Sequence, residues 1–132
     1  MKKFIVFSNI ILLFPIVASI IMREWVYLAF SVALIFSSTS YHYYREKHPR
    51  MKQVWNLSRR FDWVFAVGAY CYMFYFVYTD TWQPLRTPFA VGLILSLLFF
   101  WYGFKLGNYK KLHPWFHVLA FTLAGLIVMT KI

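Results

Sequence analysis

The chain has 132 residues, of which 61% are hydrophobic and 23% aromatic, and its formal net charge is +10. Such a high apolar content is typical of a protein whose solvent is lipid, and it excludes an ordinary soluble domain. The basic residues stand between the apolar runs and not within them, which favours contact with an anionic lipid surface and argues against binding to nucleic acid.

Five apolar stretches are long enough to cross a bilayer, which requires about 20 predominantly apolar residues. They run from Phe4 to Ile21, Trp25 to Tyr44, Phe61 to Tyr78, Phe89 to Phe104 and Pro114 to Thr130. No A-x-A-like cleavage site follows the first stretch, so it is interpreted as a span and not as a signal peptide. The sequence therefore predicts an all-α integral membrane protein, in which residues 1–132 form a single polytopic bundle of about five transmembrane helices.

The charges of the connecting loops predict the orientation of this bundle, because Lys and Arg in short loops are retained on the cytoplasmic side. One side would hold only Arg23, Arg86 and Lys131, and the other side would hold the remaining eleven of the 14 basic residues, with Lys2 and Lys3 among them. The N-terminus is therefore predicted to be cytoplasmic. The short loops and the Lys-Lys start are typical of a protein of the bacterial cytoplasmic membrane.

Five polar residues stand at the predicted cytoplasmic ends of three spans. Ser38 and His42 are four residues apart near the end of the second span, so they share one helix face. Asp62 opens the third span. His113 and His117 are also four apart, at the start of the fifth span. Polar residues inside a membrane are costly unless they face a cavity or one another, so this set predicts a functional site.

The three histidines on two helices match the tri-histidine coordination of a catalytic zinc, which leaves a fourth position open for water. A nearby carboxylate would complete a hydrolytic site. Each element also has a plainer interpretation. The His-x-x-x-His pair could be two interfacial residues, and Asp62 could be a helix N-terminal charge or a partner of Arg59 or Arg60. Ser38 could return a hydrogen bond to its own helix backbone, and His48, in the basic loop, is expected to be solvated.

Three segments carry a family resemblance. The segment SSTSYHYY (37–44) has Ser-x-x-x-His, HPRMKQVWNLSRRFDWV (48–64) leads to the Asp, and HPWFHVL (113–119) has His-x-x-x-His. In this order they resemble the CREST superfamily of membrane metal-dependent hydrolases, which includes alkaline ceramidases, progestin and adipoQ receptors and bacterial hemolysin III proteins. The resemblance covers the second, third and fifth spans and the loop between the first two of these.

The resemblance implies roles for these residues. His42, His113 and His117 would be zinc ligands, Asp62 would hold or deprotonate the attacking water, and Ser38 would support the site. The implied substrate is a ceramide-like or other acyl lipid of the bilayer, cleaved at an amide or ester bond. Family members generally have seven spans, whereas this chain has room for about five. Successive spans run in opposite directions, so a missing pair leaves the direction of each remaining span unchanged and the motifs at the same membrane face. It leaves the substrate chamber either open toward lipid or closed by forming a homo-oligomer.

Two other classes of protein remain as alternatives to a zinc-dependent lipid hydrolase. In a non-catalytic receptor-like or structural membrane protein, the same ligands would bind a zinc ion that links the helices to one another. A b-type haem protein would use histidines on facing transmembrane helices as axial ligands, although a tight cluster with a carboxylate at one membrane edge suits zinc better. Transport is less favoured, because the chain has no broken-helix pattern and no charged midplane pattern.

Overall fold

The computed structural model describes residues 9–132, apart from the side chains of residues 9 and 110. A 3-10 turn over Asn9–Leu12 is followed by five α-helices: α1 (Leu13–Ile21), α2 (Trp25–Lys47), α3 (Lys52–Thr79), α4 (Gln83–Lys105) and α5 (Tyr109–Met129). Within residues 9–132 the only extended pairing is an isolated antiparallel bridge between Thr81 and Lys131. The all-α prediction is confirmed for this part of the chain. The predicted start of the first span at Phe4, with Lys2 and Lys3, lies outside the described residues.

Three of the helices are long and apolar enough to cross a membrane, namely α3, α4 and residues Lys111–Met129 of α5. The first apolar helical segment, Ile10–Ile21, is shorter. Helix α2 has sufficient length, but the hydroxyl-rich run at 37–40 and the imidazole of His42 lower its mean hydropathy. The prediction of apolar membrane-type helices is therefore confirmed for three of the five, and the count of five spans stays a prediction.

Three helices extend well beyond the predicted spans at their N-terminal ends, since α4 begins at Gln83, six residues before its predicted span. Helix α3 begins at Lys52, whereas the apolar stretch begins at Phe61, and α5 begins at Tyr109, ahead of Pro114. The apolar run marks the part of a helix that suits lipid. Backbone hydrogen bonding continues into polar turns, because each helical residue satisfies its own N–H and C=O groups whatever its side chain.

The helices pack around a closed ring in chain order. Each helix contacts its neighbours in the chain, and α1 closes the ring by packing on α5 as well as on α2. Among these neighbouring pairs, α2 and α3 pack most extensively and α3 and α4 least. No Cα atom of α2 lies within 8 Å of a Cα atom of α5. Five helices of one chain thus form a complete ring whose weakest seam lies between α3 and α4.

A tight turn at Gly107 directs α5 back along α4. Gly107 has φ of +68°, in the left-handed region that favours glycine, and it ends α4 before α5 begins at Tyr109. In the last turn of α4, the ideal Cβ position of Gly103 lies 3.1 Å from the Cβ of Leu112. The turn therefore places the first turns of α5, with their histidines, close against the end of α4.

At the opposite end of the bundle, a buried carboxylate ties three parts of the chain together. Glu24, which is 6% exposed, precedes α2 and accepts a hydrogen bond from the hydroxyl of Tyr72 on α3. Its Oε2 lies 2.7 Å from Nζ of Lys131, just beyond α5. The backbone N–H of Ile132 also donates to the carbonyl of Asp80 at 2.9 Å. The contacts with Tyr72 and Lys131 satisfy the Glu24 carboxylate, which would be costly to bury alone.

Ring closure by α1 predicts a strong effect of adding a methyl group to α5. A Cβ at Gly125 would overlap the aromatic ring of Phe14, whereas a Cβ at Gly92 would meet the mobile end of Leu123 at 3.2 Å. We expect Gly125→Ala to lower the free energy of unfolding by about 1 to 3 kcal/mol, since overpacking displaces an aromatic ring. The measurement is thermal unfolding in detergent followed by circular dichroism.

The matched control is Gly92→Ala, whose effect should be clearly smaller because the Leu123 side chain can shift and alanine favours a helix. Equal unfolding midpoints for the two variants would contradict close packing of α1 on α5.

Candidate functional site

The structure brings the three predicted histidine ligands into contact. The ring centroids of His113 and His117 are 4.3 Å apart, and that of His42 lies 5.6 Å from the first and 6.3 Å from the second. All three side chains are buried, with exposed fractions of 3% for His42, 7% for His113 and 4% for His117. His48 is exposed and contacts the rings of Tyr43 and Tyr44, away from this cluster.

Two ring nitrogens of this cluster are buried without a hydrogen-bond partner among the described residues, Nε2 of His42 and Nδ1 of His113. The other ring nitrogen of His113 lies 3.3 Å from the hydroxyl of Tyr109. Unpaired buried nitrogens are rare and destabilising, and neutral imidazole nitrogens are good zinc ligands. The donor chemistry of the cluster therefore suits a metal ion.

The rings are not arranged as in a closed metal site. Among the described side chains, no three His, Cys, Asp or Glu groups surround a point that could hold a metal ion. Imidazoles bound to one zinc at about 2.0–2.1 Å would have ring centres roughly 5 Å apart. The observed separations of 4.3–6.3 Å bracket this value, so the rings would have to turn toward a common point to bind one ion.

Asp62 lies on α3 beside the serine run of α2. The hydroxyls of Ser37 and Ser38 interact with its carboxyl group, and Ser38 is only 2% exposed. Within the described part of the chain the one ion pair joins Glu24 and Lys131, so Asp62 is not paired with Arg59 or Arg60. The carboxylate is instead oriented by α2, the helix that also carries His42.

An elongated cavity of about 340 Å³ connects these polar groups with the apolar interior. Asp62, Ser38, His113 and His117 line its polar part, and Tyr109 lies beside them. His42 contacts the other two histidines but does not line the cavity. The remaining wall is formed mainly by apolar and aromatic side chains of α3, α4 and α5, and the volume is in the range of small-molecule sites.

The cavity opens at the weak seam between α3 and α4. Trp63, Val67 and Leu97 line the cavity and are 54%, 53% and 39% exposed on the outer surface of the bundle. The Tyr70 hydroxyl and the Ser96 hydroxyl, 2.8 Å apart, bridge this seam. The seam therefore forms a lateral path from the apolar outer surface to the polar cluster.

Sequence reasoning did not identify three further side chains at the site. Ser37, like Ser38, interacts with the carboxyl group of Asp62. Tyr109 contacts His113. Arg45 donates a hydrogen bond from Nη1 to the Tyr41 hydroxyl at 2.7 Å. Tyr109 is four residues before His113, and Arg45 is three residues after His42. Residues three or four positions apart lie on the same helix face, so examining one further turn from each histidine would have identified both.

Comparisons of the chain with protein-family models, with curated proteins and with solved structures gave no match. The resemblance to the CREST hydrolases therefore rests on the three sequence segments alone.

The unpaired nitrogen of His42 predicts an unusual result for a core substitution. In metal-free protein we expect His42→Leu to leave the unfolding midpoint unchanged or to raise it, because it removes an unsatisfied buried polar atom that costs about 1–3 kcal/mol. The measurement is thermal unfolding in detergent with a chelator present.

Tyr41→Leu is the control, because it removes a buried ring and the hydroxyl that Arg45 binds, and it should lower the midpoint. A loss of stability in His42→Leu as large as that in Tyr41→Leu would show that His42 serves packing and not a ligand.

Proposed function

We propose that this chain is a polytopic protein of a bacterial cytoplasmic membrane, with five spans and a cytoplasmic N-terminus. Three helices have the length and apolarity of membrane spans. Large hydrophobic side chains also face outward all around the bundle, for example Phe36 at 70%, Val64 at 64% and Leu95 at 56% exposure. A soluble protein rarely exposes so much contiguous apolar surface, and this supports lipid as the surrounding solvent.

The proposed activity is zinc-dependent hydrolysis of an amide or ester bond in a membrane lipid, as in the CREST superfamily. The observation that carries it is the meeting of three buried imidazoles, Asp62 and Ser38 at one end of a cavity that opens onto the apolar surface. A site of this kind admits a lipid from the side and presents it with metal ligands and a carboxylate.

In this proposal His42, His113 and His117 hold the metal. When bound, zinc polarises the substrate carbonyl and activates water for attack. The carboxylate of Asp62 takes the proton from the attacking water and passes it to the leaving nitrogen or oxygen as the acyl bond breaks. The hydroxyls of Ser37 and Ser38 interact with that carboxylate from α2.

The apolar part of the cavity gives the acyl chain a place to lie during the reaction. Phe116 and Phe121 line it on α5, and Leu93 and Leu97 line it on α4. These side chains keep an acyl chain that enters from the bilayer in apolar surroundings, since exposing it to water would cost about 0.8 kcal/mol per CH₂ group.

Metal content tests the ligand set directly. In protein purified in detergent we expect about one zinc per chain, as in tri-histidine sites, and its loss in His42→Ala, His113→Ala and His117→Ala. The measurement is elemental mass spectrometry together with an absorption spectrum. His48→Ala is the matched control and should keep its zinc, because that histidine lies apart from the cluster. Equal zinc contents in all four variants would contradict the site, and a Soret band would favour a haem instead.

The reaction is tested by incubating metal-loaded protein with a panel of acyl lipids and measuring released fatty acid by mass spectrometry. We expect Asp62→Asn to keep its zinc and to lose about 10²- to 10⁴-fold in rate, the usual contribution of a general base. Ser38→Ala should lose less. Asp80→Asn, at the far end of α3, is the control and should remain active. No hydrolysis of any lipid by the zinc-loaded wild type would overturn the assignment.

A zinc-stapled protein without catalysis is the second candidate, and one observation favours it. Helices α2 and α5 have no Cα atoms within 8 Å of each other, so a metal held by His42, His113 and His117 would be a direct link between them. Unfolding on chelation, with no activity across the lipid panel, would support this candidate over the hydrolase.

A further inference from the structure

Arg45 lies against the side of the histidine cluster. Its Nη1 donates to the Tyr41 hydroxyl at 2.7 Å, and its guanidinium carbon lies 5.6 Å from the centre of the Tyr41 ring. That ring is 7% exposed and its centroid is 4.9 Å from the centroid of His42. A buried side chain that packs on His42 thus holds the cation of Arg45 next to the site.

The positive charge of Arg45 is close enough to the site to influence its side chains electrostatically. It acts electrostatically on His42 of its own helix and on Tyr109 and His113 of α5. The carboxylate of Asp62 also acts electrostatically on Tyr109. Tyr109 and Asp62 both line the polar part of the cavity. The ring centroid of Tyr109 is 4.4 Å from that of His113, which in turn is 5.6 Å from that of His42, the ring beside Tyr41.

Arg45 has no carboxylate partner among the described residues, where the one ion pair joins Glu24 and Lys131. A guanidinium carries five N–H donors, and the Tyr41 hydroxyl takes only one of them. Several donors therefore remain to bind an oxyanion in the paired geometry that suits phosphate.

We propose that Arg45, with the Tyr109 hydroxyl, binds the phosphate group of an anionic lipid whose acyl chain occupies the cavity. This rests on the proposed function and narrows it, because it makes the substrate a phosphate-bearing lipid and not a neutral, ceramide-like one. The phosphate fixes the position of the lipid head, so that the adjoining acyl bond lies over the histidine cluster and the chain extends past Phe116 and Leu97.

Arg59 offers a matched control. It is also exposed, its guanidinium carbon lies 5.9 Å from the ring centre of Trp55, and that ring neighbours the Tyr41 ring at 6.4 Å. Arg59→Gln and Arg45→Gln therefore remove the same charge from the same end of the bundle. Only Arg45 acts on the histidines, so non-specific attraction of anionic lipid should weaken equally in the two variants.

The test is binding of short-chain phosphatidic acid and short-chain diacylglycerol to chelator-treated protein in neutral detergent, measured by native mass spectrometry. We expect Arg45→Gln to weaken phosphatidic acid binding about tenfold or more, the loss of a charge-assisted contact, and to leave diacylglycerol binding unchanged. Arg59→Gln should change phosphatidic acid binding less than twofold. Arg45→Lys, which keeps a charge and a donor for Tyr41, should show an intermediate loss because lysine cannot bind in a paired geometry.

Equal losses in the Arg45→Gln and Arg59→Gln variants would overturn the proposal. Arg45-dependent binding of inorganic phosphate as tight as that of the lipid would assign the site to a free anion and overturn the lipid assignment. Should Arg45→Gln fail to fold, Arg45→Lys decides, and unchanged affinity in that variant counts against the site. Because zinc is absent from this assay, a specific phosphate contact can be established even if the zinc and hydrolysis experiments fail, and it can fail while they succeed.

Discussion

Helices α2 and α5 have no Cα atoms within 8 Å of each other, and three imidazoles meet across the space between them. Polar groups in an apolar interior attract one another because the local dielectric is low, and they are costly when left alone. The serines of α2 hold Asp62, and Tyr109 contacts His113, so the other polar groups of this end gather around the same centre. The ring is wide enough to keep α2 and α5 apart, and the cavity lies among α2, α3, α4 and α5.

The short α1 makes this width compatible with a closed ring. It packs on both α2 and α5, and the missing side chain of Gly125 leaves space for the ring of Phe14. Four of the five helices, α2 to α5, line the cavity, and its open side lies at the seam between α3 and α4. The two outcomes expected for a bundle of five helices, a chamber open toward lipid and one closed by a homo-oligomer, both concern this seam and stay predictions. The experiments on zinc and lipid decide whether that chamber is catalytic.

Access and stability compete at this seam. The hydroxyl pair of Tyr70 and Ser96 and the contact of Trp63 with Phe100 join α3 to α4, while Val67 and Leu97 face both the cavity and the exterior. A tighter seam would stabilise the bundle but would close the lateral path to the polar cluster. The unpaired nitrogens of His42 and His113 represent the same compromise, since ligand-binding groups are often kept at a cost in stability.

The sequence by itself determined the helical class, the positions of the apolar stretches and the pairing of polar residues on helix faces, because a helix of 3.6 residues per turn makes these features local. The alternating direction of successive spans was enough to predict that His42, Asp62 and the His113–His117 pair lie at the same end of the bundle. Only the tertiary structure decided that Asp62 meets Ser37 and Ser38 and not Arg59, and that Arg45 binds the hydroxyl of the Tyr41 ring beside His42. These contacts depend on which helices become neighbours and how far apart they lie, and packing between segments distant in the chain sets both.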